Sequence, residues 1–274
     1  MKFLMICFAL SLHKQISYAQ HQLSPNIPFG RLSAYHKKNN SMLSVTCNPA
    51  SCLYQRSFSV LLYTEKRFLI NELNFIEGMV YIPIQQFDLM LDYTRFGFSQ
   101  FNQTSIGFNC SRPLTSLVDV GLAIRTTLAR SEKEKWNTEF GFAVGVIFHQ
   151  SENFSTGLVF TQTKTAESNF NTNGIPLINC AAGFGYQISD GVNLGLQCSR
   201  AYQGSLMLMG SLQFQLKELV QFEIGYQSGA QSFFAGATMK NKFINVGFFL
   251  AQHPNLGITP GFMIESFNNK KAKW

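Results

Sequence analysis

Glu139-Phe140-Gly141-Phe142-Ala143-Val144-Gly145-Val146-Ile147-Phe148-His149 is the stretch on which the fold turns. Phe140, Phe142, Val144, Val146 and Phe148 fall at every second position, and Glu139, Gly141, Ala143, Gly145 and His149 fill places between them. Side chains alternate between two faces along a strand, so this run is a strand with one apolar face and one small or polar face. A helix would instead gather its apolar positions at intervals of three and four. The same alternation places Val118, Val120, Leu122, Ile124 and Leu128 opposite Asp119, Gly121, Ala123, Arg125 and Thr127. Val192–Ser199 and Val220–Gln227 repeat it.

Carried along the chain, period two gives candidate strands at 55–64, 74–84, 87–97, 103–112, 117–130, 137–150, 154–164, 176–189, 192–201, 205–218, 219–228, 232–241, 243–252 and 258–267. That is about 14 segments of about ten residues, the length a tilted strand needs to cross a bilayer. Ser189-Asp190-Gly191 and Lys217-Glu218 read as tight turns, whereas Ser131–Trp136 and Lys164–Gly174 read as longer polar loops. Phe and Tyr near strand ends (Phe96, Phe98, Phe101, Tyr186, Phe233, Phe234) suit interfacial girdles.

Composition agrees. The 274 residues are 46% hydrophobic and 14% aromatic, with 27 Phe, but only 14% charged. A disordered chain is poor in aromatics, and an ordinary soluble domain carries about 25% charged residues. Mean hydropathy is only +0.02, far from a helical membrane protein. A secreted β-sandwich would turn its apolar face inward and cover the other with charge. Here the second face is Gly, Ala, Ser, Asn and Gln, which suits a lumen better than a soluble exterior.

The termini set the compartment. Lys2, the apolar run Phe3–Leu12 and Ser17-Tyr18-Ala19 read as a cleaved secretory signal over residues 1–19. The expected organisation is then an N-terminal hatch or arm at 20–52, a transmembrane antiparallel β-barrel at 53–268 and a basic tail at 269–274 carrying Lys270, Lys271 and Lys273. The expected location is the outer membrane of a Gram-negative cell. Net charge is positive, but no basic run alternates with exposed aromatics, so no nucleic-acid footprint is read.

Candidate site residues follow from lumen parity. Asp88, Asp92, Asp119, Arg125, Glu139 and Glu223, with Glu77, sit on the polar face of their strands. Charges there pair across a lumen or tune what passes through it. Cys47 and Cys52 flank Asn48-Pro49-Ala50-Ser51, a spacing that would close a small disulfide loop in an oxidising compartment. Cys110, Cys180 and Cys198 fall at apolar parity. No zinc spacing, His-Glu-x-x-His, Gly-x-Ser-x-Gly or P-loop is present, so neither metal nor cofactor is implied. His149, with Ser151 and Glu152 nearby, is the best start of a Ser/His pair, but spacing places no acid to orient it.

Asn48-Pro49-Ala50, just before the first strand, resembles the turn that ends the N-terminal hatch of FadL-type barrels. Glu65-Lys66-Arg67-Phe68 with Asn71-Glu72-Leu73, Asp119-Val120-Gly121, and His253-Pro254-Asn255-Leu256-Gly257-Ile258-Thr259-Pro260-Gly261 look like the PorV/PorQ branch. The likeness runs loosely from Gly30 to Phe267. It departs at Ser51-Cys52, where the family pattern has Gly or Ala before Leu, and in the lysine-rich tail. Phe267 and Trp274 are both placed to serve as the terminal aromatic that such barrels end on. The PorV/PorQ likeness implies an accessory or anchoring barrel of type IX protein secretion, with secretion proteins as partners. The FadL likeness implies a fourteen-stranded channel for hydrophobic small molecules. Both imply a monomeric barrel in outer-membrane lipid, and a purely structural barrel is the third alternative.

Overall fold

The computed structural model describes residues 27–37, 41–51, 57–84, 87–131, 137–165, 177–202, 204–217 and 219–267. The proposed signal at 1–19, Cys52 and the 269–274 tail lie outside the described residues. No helix among the described residues is long and apolar enough to cross a membrane. Crossing falls to strands.

Fourteen antiparallel strands close into one barrel: β1 Ser59–Lys66, β2 Asn74–Pro83, β3 Asp88–Gly97, β4 Phe101–Pro113, β5 Val118–Ser131, β6 Asn137–His149, β7 Phe154–Thr165, β8 Leu177–Ser189, β9 Val192–Ala201, β10 Leu206–Leu216, β11 Val220–Gln227, β12 Ser232–Lys240, β13 Ile244–His253 and β14 Gly257–Phe267. Each strand pairs with its neighbours in sequence, and β1 meets β14 from Ser59↔Phe267 to Glu65↔Gly261. Closure leaves no strand edge, so every ladder is satisfied inside the wall, as a lipid environment demands.

The alternation sorts largely as the sequence implies, except that Phe96 and Phe234, expected in an outer girdle, pack with the apolar cluster inside the lumen. Leu122, Ile124, Phe140, Phe142, Leu158 and Phe248 point outward and are exposed. Thr94, Ser105, Asp119, Glu139, Ser199 and Gln213 point inward and are buried. Turns of two to four residues join strands at the rim carrying Ser59 and Phe267, whereas the opposite rim holds the longer connections 67–73 and 166–176. At that opposite rim Phe68 and Leu69 both adopt left-handed backbone (φ 55° and 59°), which is uncommon for non-glycine residues. The Phe68 N–H donates to Thr259 Oγ1 (3.0 Å), pinning the strained turn across the β1–β14 seam.

Residues 27–37 and 41–51 do not extend away from the barrel. They fill its lumen through two short 3-10 turns, Leu32–Tyr35 and Met42–Thr46, all but one of whose residues are buried.

Candidate functional site

The hatch has no sheet or long helix to satisfy its backbone, so its polar groups are met locally and by the wall. Ser41 Oγ accepts from Leu43 N–H (3.3 Å) and caps the second turn. Ser33 Oγ donates to the Gly30 carbonyl (2.6 Å) and accepts from Ser41 N–H (3.1 Å), tying the two halves together. Asn48 Oδ1 accepts from Ala50 N–H (2.9 Å), which makes Asn48-Pro49-Ala50 an Asx-type turn. Wall groups supply the rest. Gly30 N–H donates to Glu223 Oε2 (2.9 Å) and Ile27 N–H to Glu65 Oε2 (3.2 Å).

The wall makes room for this turn by having no side chains there. A Cβ on Gly121 would strike the Pro49 carbonyl, and one on Gly145 would strike the Asn48 side chain and the Pro49 ring. Gly121 and Gly145 are register partners on β5 and β6. The seat continues as Gly157↔Gly183 and Gly185↔Gly195, against which Tyr35, His36 and Leu32 lie. Tyr35 donates to Gln197 Oε1 (3.0 Å), and the Cys47 thiol donates to the same oxygen (2.6 Å). Burial pushes the Cys47 thiol and the Tyr35 phenol up, keeping both protonated and able to donate. Burial also lowers His36 to about 4, so it sits neutral against the glycines. Cys47 is a free thiol in this structure; its expected partner Cys52 is not among the described residues.

The opposite side of the hatch meets a different wall. Ile27, Phe29, Met42 and Leu43 pack with Leu61, Tyr63, Phe75, Met79, Phe249 and Met263 in one buried apolar cluster. The Phe29 and Phe249 rings lie 3.9 Å apart between centroids. Barrel lumens are ordinarily polar. Here β1–β3 and β12–β14 present an apolar sector inside.

The charged residues expected in the lumen are all there by parity, and Arg125 and Asp92 meet in an ion pair. Arg125 donates to Asp92 Oδ2 (2.8 Å), reaching across β4 at Gly107, where a Cβ would strike the Asp92 carboxylate. Asp88 accepts from Tyr81 Oη (2.6 Å) near the terminal rim. Glu139 is buried toward the opposite rim, and Glu223 accepts from Gly30 of the hatch and from Gln213 (3.2 Å). Asp119 lies 2.8 Å from His149 Nε2, and His149 Nδ1 lies 2.8 Å from Ser155 Oγ. Spacing in the sequence points His149 to Ser151 and Glu152. Pairing in the sheet brings Ser155 from β7 and Asp119 from β5 instead, because both stand beside His149 on the same face. All three are buried, and the chain ties the ends of β5, β6 and β7 together. Among the described residues no group of three or more His, Cys, Asp or Glu could hold a metal ion.

Sequence reasoning missed the glycine seat, Gln197, and Glu65, which accepts from Tyr63 Oη (2.7 Å) and from Arg67 Nε (2.7 Å). The glycines were visible as small residues on the polar face. Nothing in one sequence said that a hatch would lean on them.

The fold is that of an outer-membrane β-barrel. A CymD monoaromatic hydrocarbon channel superposes with a TM-score of 0.65 over 88% of this chain and 98% of its own, at 11% identity. The Pseudomonas putida toluene transporter TodX gives 0.57 over 87% and 96%, at 8% identity. The Acinetobacter baumannii outer membrane protein Omp33 gives 0.53 over 78% and 98%, at 9% identity. No protein-family model and no curated protein sequence matches the chain. Nothing in these likenesses connects the chain to protein secretion, and the PorV/PorQ resemblance rests on its short motifs alone.

Proposed function

We propose that this barrel is an outer-membrane channel for hydrophobic small molecules, gated by the hatch at residues 27–51. The apolar sector of the lumen carries the reading. A pore for sugars or ions has no use for Phe75, Met79, Phe249 and Met263 on its inner wall, where they exclude the solute's water. A compound without a hydration shell to lose is favoured there. The hatch adds to the argument. It meets the apolar sector through side chains and the glycine seat by close packing, so it can leave without breaking a strand ladder. The resemblance to barrels described as a hydrocarbon channel and a toluene transporter points the same way. The secretion-accessory reading has no specific observation in its favour, and the channel reading replaces it.

The test is uptake of toluene into proteoliposomes holding the full chain. The expected result is faster accumulation than in empty vesicles, with no matching gain for a sugar of similar size. Equal rates for toluene with and without protein would overturn the reading.

A further inference from the structure

Charge on the barrel wall is sorted by face. Among the described strand residues, the carboxylates all point into the lumen, from Glu65 on β1 to Glu265 on β14. The strand cations mostly point the other way. Lys66, Arg95, Arg130, Lys164 and Arg200 share parity with the outward apolar residues of β1, β3, β5, β7 and β9. Each is the last residue of its strand or within two positions of the end. Those ends all reach the rim opposite Ser59 and Phe267, the rim with the longer loops. In barrels of this kind long loops face the cell exterior and short turns the periplasm.

The belt therefore stands just above the outward apolar band, at the height of outer-leaflet headgroups. Leu91 and Tyr93 lead up to Arg95, Leu128 to Arg130, and Leu194 and Leu196 to Arg200. Alternate strands lie about 10 Å apart, twice the strand spacing. Between Arg95 and Arg130, β4 contributes Thr104 and Asn102, the register partners of those two arginines. On β11 and β13 the equivalent outward positions are Tyr226 and Gln252, so the cations cover one continuous arc and not the whole circumference. At the terminal rim the outward strand cation is Arg112, whose guanidinium lies over the Phe87 ring at 5.5 Å.

We propose that this arc binds the phosphorylated headgroup of the outer-leaflet glycolipid, lipid A, along β1–β9. A guanidinium presents paired N–H donors that match phosphate oxygens, and among the described strand residues no carboxylate shares this outward face to repel an anion. Lipid A carries phosphates at opposite ends of a disaccharide, so cations spaced along a rim engage both. Ordinary phospholipid presents a single phosphate to one position. The proposal rests on the outer-membrane placement in the channel reading, but not on transport.

The test is titration of detergent-purified full chain with diphosphoryl lipid A, followed by native mass spectrometry. Dephosphorylated lipid A and phosphatidylglycerol serve as competing probes. Wild type should bind diphosphoryl lipid A at least tenfold tighter than either probe, with affinity falling as salt rises. The triple variant Arg95→Gln/Arg130→Gln/Arg200→Gln should lose that preference, while Arg112→Gln keeps it. A retained heat shift on unboiled gels confirms that the variant is folded. Undiminished binding by the folded triple variant, equal binding of phosphatidylglycerol, or an equal loss in Arg112→Gln would overturn the proposal. Toluene uptake measured in parallel separates the two readings. Its absence with lipid A binding intact counts against the channel alone.

Discussion

At Gly121 a single methyl decides whether the hatch can sit. Its Cβ would fall on the Pro49 carbonyl, and backbone held by an Asx turn cannot swing aside as a flexible side chain would. Gly121→Ala should weaken hatch docking by about 1–3 kcal/mol, the usual cost of forcing atoms into a filled space. Planar-bilayer recordings should then show frequent openings that wild type lacks, in a barrel that still shifts on heating. His36 gives a second handle. Its docked pKa of about 4 lies below the ordinary 6.5, so the docked hatch binds the proton less well than the released one. Docking is therefore at full strength above about pH 6.5 and weakens as pH falls toward 4, by as much as about 3 kcal/mol. Open probability should climb across that window, and His36→Gln should flatten the climb. A wild-type recording flat from pH 7 to 4 would remove His36 from the account. These residues were only partly legible beforehand. Parity placed Asp92, Arg125, Glu223 and the glycines on the inner face. It could not join Asp92 to Arg125 or seat Pro49 on Gly121, because those contacts depend on strand register and on a segment with no periodicity.

Among the elements, the hatch depends on the wall far more than the wall depends on the hatch. The β1–β14 pairing from Ser59↔Phe267 to Glu65↔Gly261 closes the barrel by ladder bonds in which the hatch takes no part. An in-frame deletion of residues 27–51 should leave a closed barrel with large, steady conductance. Loss of the heat shift in that deletion would show that the hatch holds the barrel together. Within the hatch, Phe29→Ala removes the ring packed against Phe249 and should cost docking about 3 kcal/mol, as for other buried aromatic truncations. It should also raise open probability without altering the closed wall. Thirteen strands were legible to within two residues at each end, since period two is a local property and each run carries it independently; β1, read as 55–64, starts four residues later at Ser59. The hatch was not legible. Residues 20–52 read equally as hatch or arm, because 3-10 turns leave no repeating apolar pattern and their burial comes from the surrounding wall.

The described barrel is a wall with an apolar outside, a carboxylate-bearing inside and an arc of cations along the longer-loop rim. A native gel of the extracted protein should show a faster-migrating unboiled band, as expected for a closed barrel that resists detergent. A barrel-sized protein with no such shift would contradict the closure described above. The order of the chain adds a last consequence. The hatch enters near Glu65 at the longer-loop rim and reaches Ser51 beside Tyr81 and Asp88 at the opposite rim, shortly before β1 begins. It is thus made before any strand, yet it can be enclosed only once β14, the last strand, has arrived to meet β1. Closing that seam joins the two ends of the barrel-forming sequence, the slowest kind of contact for a chain to find. Until that seam shuts, the glycine seat on β5–β9 is an open, side-chain-free trough, and it is the one surface ready to receive the hatch before the wall encloses it.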